Sequence, residues 1–325
     1  MKFRSPFHAI PTAQASLAMA VVGLGIAWSL HVPDHSSGLR LVTTLCGFVL
    51  VLPVCLKYIF DPNRFISDLK HPFYGSLMAP MSMALMLIAD YLAQIHVTSA
   101  TFLLYGAFVL HVFMMLFFFS WQLIHFDMRQ LYPSWFLYPV GMISSTLAGT
   151  KLGFSSESLQ LMHFCIGAYF IMLPVILYRL TFMGRLQRHC RPVLAIMAAP
   201  VNLSLSAYLT NFNTPDPVIV GALGAVGIVM TIFVYLCCIN LLRQTFHPGL
   251  AALTFPSVIS AVAVEKLSQW LSTTSNEWFW LSAFGVIELM IATSIVCWVC
   301  FKYVTHFGPN LFGRNIRQRL RLGNS

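Results

Sequence analysis

The sequence predicts an all-α polytopic membrane protein: ten transmembrane helices paired as five helical hairpins in quasi-fivefold arrangement about one axis. Three observations carry this. Hydrophobic residues make up 58% of the 325 and charged residues 9%, and mean hydropathy is +0.76; a soluble domain of this size could not cover that much apolar surface. Ten apolar segments of helix length follow one another along the chain. Finally, a proline opens every second segment, at Pro11, Pro72, Pro133, Pro192 and Pro248, in steps of 61, 61, 59 and 56 residues. A period near sixty is that of two membrane-spanning helices with short connections.

The expected segments are 11–31, 40–60, 72–93, 98–124, 133–150, 158–178, 192–211, 217–242, 248–270 and 278–303. The first follows Lys2 and Arg4 in the manner of a signal peptide, but its apolar run from Pro11 to Leu30 exceeds an ordinary signal core and fills the first slot of the repeat, so it is read as a retained span. The shorter fifth and seventh are expected to be partly immersed. In the third, fifth, seventh and ninth segments a second proline lies deeper in, at Pro80, Pro139, Pro200 and Pro256. Such a proline removes an internal hydrogen bond and is expected to kink the helix, and lipid disfavours the freed backbone groups, so the odd segments belong inside. The even segments, such as FLLYGAFVLHVFMMLFFFSW, are nearly free of proline and read as lipid-facing.

Charge sets the orientation. Lys2, Arg4, Lys57, Arg64, Lys70, Arg129, Arg179, Arg185, Arg188, Arg191, Arg243, Lys302, Arg314, Arg317, Arg319 and Arg321 fall on one side, and only Arg40, Lys151 and Lys266 on the other. Basic residues stay cytoplasmic, so both termini are expected inside, in the cell (inner) membrane. The same asymmetry explains the net charge of +9 without nucleic acid. The chain divides into a membrane domain, 1–309, and a short basic tail, 310–325, that can touch anionic lipid.

Enzyme and cofactor chemistry find little support. Cys297 and Cys300 have redox spacing but lie inside a span with no βαβ context, and free thiols in apolar runs behave as small hydrophobes. Gly221, Gly224 and Gly227 read as a packing face rather than a dinucleotide loop. No cofactor or metal is expected. A haem held by His111 and His163 is the most distant alternative.

Small residues after the second prolines, Ser82, Gly141, Ser144, Ser204 and Ser257, can line an axial path whose hydroxyls solvate an ion, or can simply let helices pack closely. Just before the prolines the repeats read Ala79, Tyr138, Ala199 and Phe255, with Ala18 at that level in the first segment. If that ring surrounds a pore, Phe255 obstructs it. Asp90, Lys151 and Glu265 lie 17 or 18 residues past their opening prolines and land together at the outer mouth. Glu288 sits mid-way in the tenth segment, where a structural pairing or a proton-carrying role is open.

The motifs IPTAQASLAMAVVGLGIAW, HPFYGSLMAPMSMALMLIADYL, YPSWFLYPVGM, RPVLAIMAAPVNLSLSAYL and ALTFPSVISA occur in that order, and with them the chain resembles the tellurite-resistance/dicarboxylate transporter family. That family includes the bacterial tellurite-resistance channel homologue, the plant slow anion channels and yeast malate and sulfite transporters. The resemblance covers residues 8 to 305. It implies ten helices around a central pore with the odd helices inside, a homotrimer with one pore per subunit, and Phe255 in the position of the family's gating phenylalanine. The plant channels' regulatory extensions have no counterpart, which puts phosphorylation control of that kind in doubt. No Lys or Arg occupies the middle of an odd span, so selectivity is expected to follow dehydration cost. Monovalent inorganic anions come first, with dicarboxylate, sulfite and tellurite as further candidates. The rival expectation is a proton-coupled dicarboxylate or sulfite carrier using Asp90 or Glu288.

Overall fold

The computed structural model describes residues 6–243, 245–273 and 279–322. Lys2 and Arg4 lie outside the described residues, as do the side chains of Arg314, Arg317, Arg319 and Arg321. Among the described residues every regular element is helical. In order these are α1 Gln14–His31, α2 Ser36–Phe60, α3 Pro62–Lys70, α4 Pro72–Ser76, α5 Ala79–Leu92, α6 Val97–Ile124, α7 Ile143–Lys151, α8 Ser155–Phe182, α9 Ala199–Asn211, α10 Pro217–Leu241, α11 Thr254–Ser272 and α12 Phe279–Leu322. α12 continues through the boundary expected at residue 309.

Nine stretches among the described residues are long and apolar enough to cross a membrane, and each coincides with an expected segment. The fifth segment makes the tenth. It is not one helix but 3-10 turns at Pro133–Leu137 followed, after a further turn, by the nine-residue α7. One element was not foreseen. α3 is a short helix on the basic side, started by Asp61, whose carboxylate accepts from Arg64 N at 3.1 Å, with Leu69 buried beneath it.

The helices form two concentric rings. α1 packs on α5, α5 on α7, α7 on α9, α9 on α11, and α11 back on α1. Each outer helix packs on its hairpin partner and on the next inner helix: α2 on α1 and α5, α6 on α5 and α7, α8 on α7 and α9, α10 on α9 and α11, α12 on α11 and α1. This is the quasi-fivefold arrangement. The four continuous inner segments have 72% to 89% of their residues buried and the outer ones 22% to 39%. The second prolines and small residues of the odd segments are therefore inside, and Phe102, Phe113, Ile171, Ile232 and Phe301 on the even helices face outward. In α1 and α2 the approach is close enough that a Cβ on Gly47 would collide with Val22 and crowd Ala18 O.

The second prolines break the inner segments in a different way from the expected bend. α5 and α9 each begin at the alanine before the proline, Ala79 and Ala199. α11 begins at Thr254, two residues before Pro256, and Pro139 falls in the turn between Leu137 and α7. Proline in the first turn of a helix sacrifices no bond, because those N–H groups have no intrahelical partner anyway. A short α or 3-10 lead therefore ends and a new α-helix starts, with no helix bent about its middle. The leads leave carbonyls that lipid cannot satisfy, and side chains supply the donors. Trp135 Nε1 donates to Pro72 O (3.1 Å), Tyr138 Oη to Gly75 O (2.8 Å), His111 Nε2 to Tyr138 O (2.8 Å) and Tyr303 Oη to Pro248 O (2.6 Å).

Candidate functional site

At the level of these breaks all five inner segments meet in one small cavity. Ser16 and Met19 come from the first, Pro80 from the third, Leu137 from the fifth, Ile196 and Ala199 from the seventh, and Ala252, Phe255 and Pro256 from the ninth. Its volume is about 10 Å³, room for about one water. Phe255 is 4% exposed, and its ring reaches α1, where a Cβ on Gly23 would lie 3.9 Å from Phe255 Cε2 and 3.2 Å from Val258 Cγ1. The axis at this level is thus filled by apolar atoms of five segments.

The structure brings Phe255, Ala199, Pro80 and Pro256 of the expected set into that lining, but not the others. Tyr138 points outward: its ring packs on His111, Phe118 and Phe119 of α6, and its hydroxyl is held by Gly75 O. Ala18 and Ala79 are fully buried beside it in sequence without lining it, and Gly141 lies where a Cβ would strike Met83. The hydroxyls of Ser82, Ser204 and Ser257 contact Ala79 O, Pro200 O and Thr254 O on their own segments, at 2.9, 2.8 and 2.8 Å. Ser144 Oγ is buried with no partner. Ser16, Met19, Leu137, Ile196 and Ala252 were missed by sequence reasoning. The repeat gives the level of a residue but not the direction of its side chain across a change from 3-10 to α.

Below the constriction, on the basic side, a cavity of about 300 Å³ opens between the first, third and ninth segments and α3. Lys57, Arg64 and Asp68 line it. Asp68 holds Lys57 Nζ at 3.4 Å, Arg64 Nε at 3.1 Å and the Tyr58 hydroxyl at 3.1 Å, and Lys57 also donates to Thr12 Oγ1 at 3.1 Å. Two cations thus share the Asp68 carboxylate, with Asp61 close by at the start of α3. His71 caps α4 there, its Nδ1 accepting from Phe73 N and Tyr74 N at 3.2 and 3.3 Å. Burial holds the His71 imidazole below its usual range, against the opposing pull of Asp68, and the charge of His189 adds to the lowering. His247, before Pro248, is lowered by the same two causes, burial and His189.

At the other mouth Asp90 and Lys151 do meet, at 2.5 Å, and Arg40 joins them at 2.6 Å. Lys266 lies near enough to feel both Lys151 and Asp90. Two of the three basic residues of the sparse side therefore share one carboxylate. Glu265 instead accepts from Gln269 (3.0 Å) and Ser282 (3.1 Å), with His31 Nδ1 at 3.8 Å. Glu288 is buried beside a separate cavity of about 80 Å³ between α9, α10, α11 and α12. Neither its carboxyl oxygens nor the Tyr235 hydroxyl there has a hydrogen-bond partner, and the neighbouring Ser260 hydroxyl donates to Ser257 O instead.

The two histidines considered for haem are otherwise engaged. His111 uses both nitrogens, Nδ1 with Ser82 Oγ at 2.8 Å and Nε2 with Tyr138 O. A carbonyl can only accept, so Nε2 carries the proton and Nδ1 is the acceptor. His163 is on the exposed face of α8, its Nδ1 on Leu159 O at 2.9 Å.

Comparison with known proteins now fits this architecture. Two uncharacterized transporters of Methanocaldococcus jannaschii are similar to the chain: one is 25% identical over 217 residues, covering 60% of the chain and 62% of that relative. The other is 24% identical over 227 residues, covering 63% and 66%. The chain thus spans just under two thirds of the length of these curated relatives. The voltage-dependent anion channels (SLAC1) match much more of it, residues 10–305. That match runs through all ten membrane segments and both rings, and the chain belongs to the family of voltage-dependent anion channels.

Proposed function

We propose that the chain conducts small anions across the membrane along the axis of the inner five-helix ring, and that Phe255 closes this path. One observation carries the reading: the five inner segments converge on a single cavity too small for a hydrated ion, and the bulkiest side chain in its lining is Phe255. The family assignment and the transporter relatives favour transport over catalysis. Charge favours anions on the basic face, where most of the Lys and Arg residues lie, and no Lys or Arg occupies the middle of an inner segment.

Without a fixed cation on the axis, an anion is stabilised by backbone dipoles and by hydroxyls that must turn. Ser204 and Ser257 lie against carbonyls of their own segments, and each has to swing its proton toward a passing anion, whereas the Ser82 hydroxyl is turned to His111 of α6. Ser144, with no partner, has no bond to break. Weak solvation of this kind disfavours strongly hydrated ions. Monovalent anions are the proposed substrates, and the inner membrane, cytoplasmic termini and a homotrimer belong to the same proposal. Reversal potentials in planar bilayers with chloride, nitrate and sulfate gradients test it. The expected order is nitrate, then chloride, then sulfate; a cation-selective potential would sink the proposal.

A proton-coupled carrier is the second reading, and Glu288 is the observation for it, since its unpartnered carboxyl lines a cavity. Coupled proton flux that disappears in Glu288→Gln would favour the carrier.

A further inference from the structure

Away from the axis, Arg188 and Arg191 on the lead into α9 and Arg243 just beyond α10 line a cleft of about 500 Å³. Asn240 adds an amide to its wall, and Leu194 and Leu241 make an apolar floor. No acidic residue lines it. Among the described residues none of the three arginines forms an ion pair, and Arg191 Nε donates to Leu186 O at 3.3 Å. The bias of basic residues toward one face explains why arginines occur on this side of the membrane. It does not explain why three of them, from two segments, converge on one concavity without a counter-charge.

The chemistry of the lining identifies what supplies that charge. Guanidinium groups bind phosphate through paired N–H donors, and an amide from Asn240 adds another. The apolar floor continues onto the flank of α10, where Leu236 and Ile239 are exposed toward lipid. A soluble polyanion makes no use of such a floor. We propose that this cleft binds the headgroup phosphate of an anionic phospholipid, with the acyl chains running along α10. The site also has a route to the axis. Arg188 and Arg191 stand on the same ten-residue run, Arg188–Met197, as Ile196 of the central cavity. A bound lipid would hold that run in place, and this second consequence rests on the conduction reading above; the binding does not.

The test is lipid retention by the purified full-length protein, read by native mass spectrometry after exchange into detergent with equal phosphatidylglycerol and phosphatidylcholine. Wild type is expected to retain phosphatidylglycerol preferentially. Arg188→Gln/Arg191→Gln/Arg243→Gln is expected to lose the preference by roughly a hundredfold, each arginine contributing about a factor of five. Arg185→Gln, a basic residue nearby that does not line the cleft, is expected to behave as wild type. Arg243→Gln alone gives a partial loss and serves if the triple variant does not fold. Equal retention by the triple variant, or an equal loss in Arg185→Gln, would overturn the proposal. So would inorganic phosphate binding the cleft while phosphatidylglycerol shows no preference, since the site would then take a soluble anion. Because the readout is binding, its failure leaves the conduction reading standing.

Discussion

Tyr138 and Phe255 occupy the same step of the repeat, each directly before a proline, yet they do opposite things. Phe255 lines the cavity where the five inner segments meet, while Tyr138 turns outward and fastens two broken segments, through its hydroxyl to Gly75 O and through its carbonyl to His111. Tyr138→Phe is therefore expected to lower stability by about 1 kcal/mol, because one buried hydrogen bond is lost while Gly75 O keeps Met78 N as a donor, with conductance unchanged; thermal unfolding in detergent and bilayer recording check the two halves. His71 carries a pH dependence. Its cap needs an unprotonated Nδ1, and its folded-state value is lowered, first by burial. The unfolded chain takes up the proton near pH 6.5, so the stability His71 contributes is present above that pH and is lost progressively as pH falls from there through the lowered folded-state value. The unfolding temperature is expected to drop between pH 7.5 and 5.5, and His71→Asn, which keeps a capping oxygen, should flatten the drop. His247 leaves a residual slope for the same reason.

The helices themselves were legible in the sequence because apolar length and proline position are one-dimensional signals. Each of the nine continuous spans coincides with its expected segment. What the second proline does was not legible. A missing N–H can bend one helix or start another, and the choice depends on whether donors such as Trp135 Nε1 and Tyr303 Oη lie opposite the freed carbonyls. Those donors come from residues 55 and 63 positions away, beyond any local pattern. The short α3 escaped notice for a related reason, since it is polar and only Leu69 is buried. Close approach of whole helices rests on single glycines. At Gly47 a side chain would drive α2 off Val22 and Ala18 O of α1, and Gly47→Val is expected to destabilise by about 1–3 kcal/mol. A melting temperature equal to wild type would show that the hairpin can separate without cost.

Over the whole molecule, closure of the inner ring gives the fold one axis, with most of the basic residues gathered at one of its ends. The sequence located Asp90 and Lys151 at one height because rise per residue is fixed, but the rotation of each helix decides partners, and so Arg40 was added and Glu265 went elsewhere. Asp90→Asn leaves Arg40 and Lys151 without their carboxylate. A loss of about 2 kcal/mol is expected, less than for a fully buried pair because Lys151 reaches solvent, and chemical denaturation checks it. The central claim is that the five-segment cavity is a closed pore and that Phe255 closes it. Replacing Phe255 by Ala removes the largest group from a space of about 10 Å³. The most direct measurement is single-channel or macroscopic anion current in planar bilayers for wild type and Phe255→Ala at equal protein density. The account predicts a several-fold or larger rise in anion conductance with anion selectivity retained; a folded Phe255→Ala protein conducting no more than wild type would contradict it.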